Sequence, residues 1–194
     1  MVLIYYRVYY ISGLLIINPF KMKKKILIIL AAFVLGSCQA PAEKPSNEPT
    51  VIGYEFNDEG VKQNIVAGDV EITDVYMDYI QAHNDKNLDK IHEMDMEDVI
   101  IRAANGALYN GRDSHKQELE AWFNAASPAW KIKWMVANTV EGAGGKTQNW
   151  LTTGVDVVQA LDGNNITTHH VVDVNFIDGK VKELNVYDRA SEKK

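Results

Sequence analysis

Apolar side chains recur at Ile72, Val75, Tyr76, Tyr79, Ile80 and His83, the 3,4 spacing of one buried stripe, and predict an amphipathic helix over Glu71 to Asn84. Asp85-Lys86-Asn87 interrupts the pattern. Asn87 is placed to cap a second, shorter helix from Leu88 to about Met94, with Leu88, Ile91 and Met94 facing inward. Val99-Ile100-Ile101 reads as a strand, and Asn105-Gly106 signals a two-residue hairpin that returns the chain through Ala107-Leu108-Tyr109. Gly111-Arg112-Asp113 leads into a third helix, where Ser114 and Gln117 have capping-box spacing and Leu119, Trp122 and Phe123 form the apolar face. Pro128 marks its end. Beyond it the period falls to two, giving strands over about Trp130 to Val140, Asn149 to Leu161, Ile166 to Ile177 and Val181 to Tyr187. Turns separate them at 142–145, 162–165 and Asp178-Gly179. Val51 to Val66 is mixed in character and reads as a short strand or lead-in. Helices first and antiparallel strands afterwards predict an α+β domain, three N-terminal helices packed on one face of a strongly curved antiparallel sheet.

The first 50 residues follow no such period. Lys21, Lys23, Lys24 and Lys25 surround Met22, Ile26 to Leu35 are almost wholly apolar, and Gly36 and Ser37 precede Cys38, the single cysteine. That order is a charged region, a hydrophobic region and a small-residue cleavage site. The apolar run is too short for a spanning helix, which needs about 20 residues. Leu35-Gly36-Ser37-Cys38 resembles the bacterial lipobox. The resemblance implies cleavage before Cys38 and attachment of a lipid to its sulfur, which would anchor the protein to a bacterial envelope membrane. On this reading residues 1–37 are a signal region with Met22 as the true start, and residues 38–50, with three prolines, are a disordered tether. A membrane span over Val2 to Phe20 is the alternative, weakened by Arg7, Asn18 and Pro19. Residues 51–190 then form the globular domain. Loss of residues 1–38 removes five of the 20 basic residues and none of the 26 acidic ones, leaving a net charge of −11. Such a balance argues against nucleic acid as a partner. A lone cysteine excludes a disulfide within the chain.

Candidate chemistry is sparse. On the strand ending at Ile177, Thr167, His169, Val171, Asp173 and Asn175 share one face and Thr168, His170, Val172, Val174 and Phe176 share the other. The first face could line a polar cavity or be the solvent side of the sheet, and the period alone does not choose. His83, His92, His115, His169 and His170 do not form a compact metal motif, so no metal and no cofactor is expected. The acidic residues Glu93, Asp95, Glu97 and Asp98 lack the spacing of a calcium loop and read as a solvated loop. Trp122, Trp130, Trp134 and Trp150 suit a core or the rim of an apolar pocket.

Three strings carry a resemblance over residues 70–190: 79–91 (YIQAHNDKNLDKI), Tyr109-Asn110-Gly111-Arg112-Asp113 and Asp178-Gly179-Lys180-Val181. They are similar to the nuclear transport factor 2-like superfamily, which includes SnoaL-like cyclases and ketosteroid isomerases. The resemblance implies a cone-shaped α+β barrel around a pocket, with dimerisation through the outer sheet face. In the isomerase branch a carboxylate base moves a proton while a tyrosine and a protonated aspartic acid hold the enolate oxygen. Its register puts Tyr79 at the tyrosine and Asp173 at the oxyanion acid, but the base position falls at Ala103. The expectation is therefore an envelope lipoprotein whose pocket, lined by Tyr76, Tyr79, Trp122, Trp150 and Asp173, binds a small, partly apolar molecule without catalysis. Two alternatives stand beside it: an isomerase, cyclase or hydratase using Asp173 with His169 or Tyr79, and a protein-interaction or homodimerisation module using the open sheet face.

Overall fold

A computed structural model describes residues 48–57, 59–141 and 145–191. The elements run β1 (Val51–Phe56), β2 (Lys62–Ala67), α1 (Glu71–Asn84), α2 (Leu88–Met94), β3 (Asp95–Arg102), β4 (Leu108–Asn110), α3 (Arg112–Ala126), β5 (Ala129–Glu141), β6 (Thr147–Leu161), β7 (Asn164–Ile177) and β8 (Lys180–Ala190). All eight strands join one unclosed sheet in the order β1-β2-β5-β6-β7-β8-β3-β4. Neighbours are antiparallel except β3 and β8, which run parallel. The segment read as a lead-in is a full hairpin, with β1 at a free edge of the sheet.

The stripe predicted for α1 is the one that packs: Tyr76, Tyr79, Ile80 and His83 are buried, and Ile72 and Val75 are half-buried beside them. Asn87 caps α2 through its side-chain oxygen, which accepts the Lys90 N–H at 3.0 Å. The capping box predicted for α3 is not formed. The helix begins earlier, at Arg112, and its N-cap is Gly111 at φ 84°, a conformation that needs glycine, so Ser114 already lies inside the first turn. Nor is the Asn105-Gly106 turn a two-residue one. Ala103 N–H donates to Ala107 O and Gly106 N–H to Ala103 O, giving a wider loop with Gly106 at φ 86°.

The core lies between the helices and the inner sheet face, where Leu151, Val155 and Val157 of β6 and Val172, Val174 and Phe176 of β7 are buried. One irregularity decides which side a tryptophan takes. On β5 the register shifts between Ile132 and Trp134, so Trp130 and Ile132 point inward, Met135 and Ala137 also pack on the core, and Trp134 is turned out and lies 46 % exposed. There its ring covers Gly154, where an added Cβ would meet Trp134 Nε1 at 2.2 Å. No helix among the described residues is long and apolar enough to cross a membrane.

Candidate active site

Between α1, α3 and the inner sheet face lies a cavity of about 340 Å³. Its apolar wall includes Tyr76, Ile80, Leu119, Trp122, Trp130 and Val172. Trp122 and Trp130 meet edge to face at 5.2 Å, and the Trp122 indole N–H is held by Gln159 Oε1 at 2.7 Å. The chemistry sits on the floor of this space.

Asp95 organises that floor. It follows the last turn of α2, and its N–H donates to Ile91 O. Four residues beyond Ile91 it continues the inward stripe of α2, so that only 1 % of it is exposed. A carboxylate there must find donors. Oδ1 accepts the Tyr79 hydroxyl at 2.8 Å and Oδ2 accepts His115 Nδ1–H at 2.7 Å. Tyr79 comes from α1 and His115 from the first turns of α3, so one buried acid ties three helices to the start of β3.

The two hydrogen bonds fix proton positions. Burial, and then the Asp95 charge, hold the Tyr79 phenol well above its usual range, so it remains a donor committed to Asp95. With Nδ1 of His115 occupied and the ring lining the cavity, Nε2 is the nitrogen left for a guest. His83, one turn beyond Tyr79, lies 6.1 Å from His115 between ring centroids. Its Nδ1 faces the Tyr79 carbonyl at 2.8 Å, and a carbonyl only accepts, so Nδ1 carries the proton and Nε2 is a bare acceptor. Burial pushes the His83 pKa down to about 3, which keeps this ring neutral. His170 also lines the cavity, joined to Thr168 at 2.8 Å, and burial lowers its pKa as well.

Several sequence-predicted site residues take other places. Asp173 and His169 lie on the opposite face of β7, because Thr168, His170 and Val172 are the ones that turn inward. Asp173 accepts the Thr152 hydroxyl at 2.7 Å, and His169 pairs with Asp156 at 2.8 Å and Ser191 at 3.1 Å. The register that would bring Asp173 inside is not the one the strand adopts. Trp150 also lies away from the cavity, its indole N–H given to Gln148. Tyr76, Tyr79 and Trp122 line it, but the Tyr79 hydroxyl is already bonded. Ala103 lines it too, so no carboxylate occupies that position.

Neither Asp95 nor His115 stands out in the sequence, where Asp95 belongs to a run of acids that reads as a solvated loop. Their signals were positional: Asp95 is four residues after Ile91, and His115 is four before Leu119 on the apolar face of α3. No group of three or more His, Cys, Asp or Glu side chains among the described residues could hold a metal ion. Cys38 and the whole signal region lie outside the described residues.

No family model matches this sequence, and no curated protein matches it. Solved structures do match in shape. An LEH-like epoxide hydrolase of M. tuberculosis is 13 % identical, with a TM-score of 0.51 over 61 % of this chain and 83 % of that one. A putative ketosteroid isomerase from Kribbella flavida DSM 17836 is 14 % identical, with a TM-score of 0.49 over 66 % of this chain and 84 % of that one. At these identities the likeness concerns the fold, and the three helices on a curved, mostly antiparallel, unclosed sheet give this chain the cone-shaped α+β fold of nuclear transport factor 2-like proteins.

Proposed function

We propose that the domain binds a small, partly apolar molecule in the cavity and moves a proton on it, with His115 as the acid–base group and Asp95 as its positioning partner. The observation that carries this reading is the Asp95 Oδ2 to His115 Nδ1 hydrogen bond at 2.7 Å, which leaves Nε2 as the unengaged nitrogen of a ring that lines the cavity. A carboxylate that fixes one imidazole nitrogen sets the tautomer and aim of the other, the arrangement general bases use. In the forward step Nε2 takes a proton from an acidic C–H of the guest and becomes an imidazolium. In the second it returns that proton to another atom of the same molecule, or to a leaving oxygen. The first outcome is an isomerisation and the second an elimination, and neither needs a co-reactant. His83 Nε2, a neutral acceptor, would hold a hydroxyl of the guest. The expected residues Asp173 and His169 take no part in this scheme, and Tyr79 positions Asp95.

The lipobox reading belongs to the same proposal: a domain tethered through Cys38 would work at an envelope membrane, where small apolar molecules partition. A guest-binding protein without catalysis is the second reading, favoured by the completeness of the network. No side-chain nitrogen or oxygen that is shut off from solvent among the described residues lacks a partner, as a purely structural cluster would also require.

A generic probe separates the two. 5-Nitrobenzisoxazole loses its C3 proton to a positioned base as its N–O bond breaks, giving a coloured cyanophenolate. The chain should accelerate this loss, and His115→Gln should reduce the acceleration by about 100-fold, the usual scale of one acid–base group. Equal rates for the two proteins would remove His115 as the base and leave the binding reading.

A further inference from the structure

We propose that the guest of this cavity carries an ammonium group on an apolar body. The inference rests on the cavity being a binding site, and it names the chemical class that the site would select.

The charges that line the cavity have one sign. Glu118 of α3 and Asp188 of β8 are its two lining carboxylates, and no lysine or arginine lines it. Neither acid belongs to an ion pair with a basic side chain among the described residues. Asp188 is exposed and Glu118 half-buried, whereas Tyr79, His83 and His115 are buried. Negative charge therefore lies toward solvent, and the neutral imidazole of His83 lies deep. Asp188 pairs in register with His170, and Glu118 sits beside the Tyr109 phenol. Both are thus held against the cavity by the residues that share its wall.

The same wall carries five aromatic rings, from Tyr76, Tyr79, Tyr109, Trp122 and Trp130. Ring faces attract cations, and a carboxylate beside them adds a directional partner, the combination that recognises amines and quaternary ammonium groups. The chain displays this affinity itself: Lys86 places its ammonium 4.7 Å from the Phe123 ring centroid and 5.1 Å from that of Trp130, without lining the cavity. Carboxylates and phosphates meet the opposite situation. They would have to pass two acids that no basic side chain among the described residues neutralises and reach a floor without lysine or arginine.

Three matched probes test the proposal: cyclohexylmethylammonium, cyclohexylmethanol and cyclohexanecarboxylate, each titrated calorimetrically into the full chain at pH 7. The ammonium should bind at least tenfold more tightly than the carboxylate, and the gap should narrow with salt. It should close in the double variant Glu118→Gln, Asp188→Asn, whose folding is checked by circular dichroism. If the double variant does not fold, Glu118→Gln alone should narrow the gap. A carboxylate bound as tightly as the ammonium would overturn the charge preference and leave the cavity reading standing. Absence of heat with all three probes would overturn both.

Discussion

Asp95 Oδ2 lies 2.7 Å from His115 Nδ1, joining the start of β3 to the first turns of α3 across twenty residues, and neither residue is more than 5 % exposed. The same carboxylate holds the Tyr79 hydroxyl with its other oxygen. One residue therefore aligns the cavity floor and closes the helices over it, so stability and proton transfer should fail together when it is changed.

Asp95→Asn keeps the size of the side chain but turns one acceptor into a donor. Facing Tyr79, that amide opposes a donor; facing His115, it keeps its bond only by driving the ring to the tautomer with Nδ1 bare and the proton on Nε2, which can no longer act as a base. Either way charge-assisted bonds are replaced by fewer or weaker neutral ones, a cost of about 1–3 kcal/mol. Urea unfolding should show that loss, and 5-nitrobenzisoxazole turnover should fall with it. Turnover lost at unchanged stability would place Asp95 in the chemistry alone.

His83 gives the fold an acid limit. Its folded pKa is lowered from the ordinary value of 6.5 to about 3, so between those values the unfolded chain binds a proton that the folded chain refuses. The sign follows: the contribution is complete above pH 6.5 and is lost as pH falls toward 3, by about 1.4 kcal/mol per pH unit. His83→Gln removes the titration. Urea midpoints at pH 7 and pH 5 should converge in the variant and diverge in the parent protein.

Gly68→Ala tests the attachment of the β1–β2 hairpin. An added Cβ would lie 2.7 Å from the Asn138 backbone nitrogen, while Gly68 N–H donates to Ala137 O at 3.0 Å. Backbone cannot swing aside as a side-chain tip can, so the substitution should cost about 1–3 kcal/mol. Amide exchange should accelerate in β1 and β2, with guest binding retained. Unchanged protection there would show that β2 and β5 absorb the methyl.

Asp173→Asn separates the two faces of β7. Asp173 accepts one hydroxyl, from Thr152, on the face turned from the cavity. Turnover should stay within about twofold and stability within about 1 kcal/mol of the parent. A tenfold fall in turnover at unchanged stability would contradict the observed register.

Much of the fold is written in local pattern. The stripe of α1, the Asn87 cap, the end of α3 before Pro128 and the period-two strands depend on neighbours within a few residues, and the helices-then-strands order selects an α+β architecture. Parity across a sheet is not local in this sense. Whether Val172 or Asp173 turns inward depends on which face the helices cover, and the shift between Ile132 and Trp134 puts Trp130 and Trp134 on opposite faces, where an unbroken strand would put them on one. The site was the least legible part. Asp95 stands in a run of four acids that all look solvated, and only the docking of α1 and α3 over the start of β3 supplies the Tyr79 and His115 donors that allow it to be buried as a carboxylate. The sequence by itself determined the elements, their order and the one-sided packing, because these follow from short-range periodicity. Tertiary structure alone decided which acid, which histidine and which strand face meet in the cavity, because a buried charge is tolerable only where distant donors converge on it.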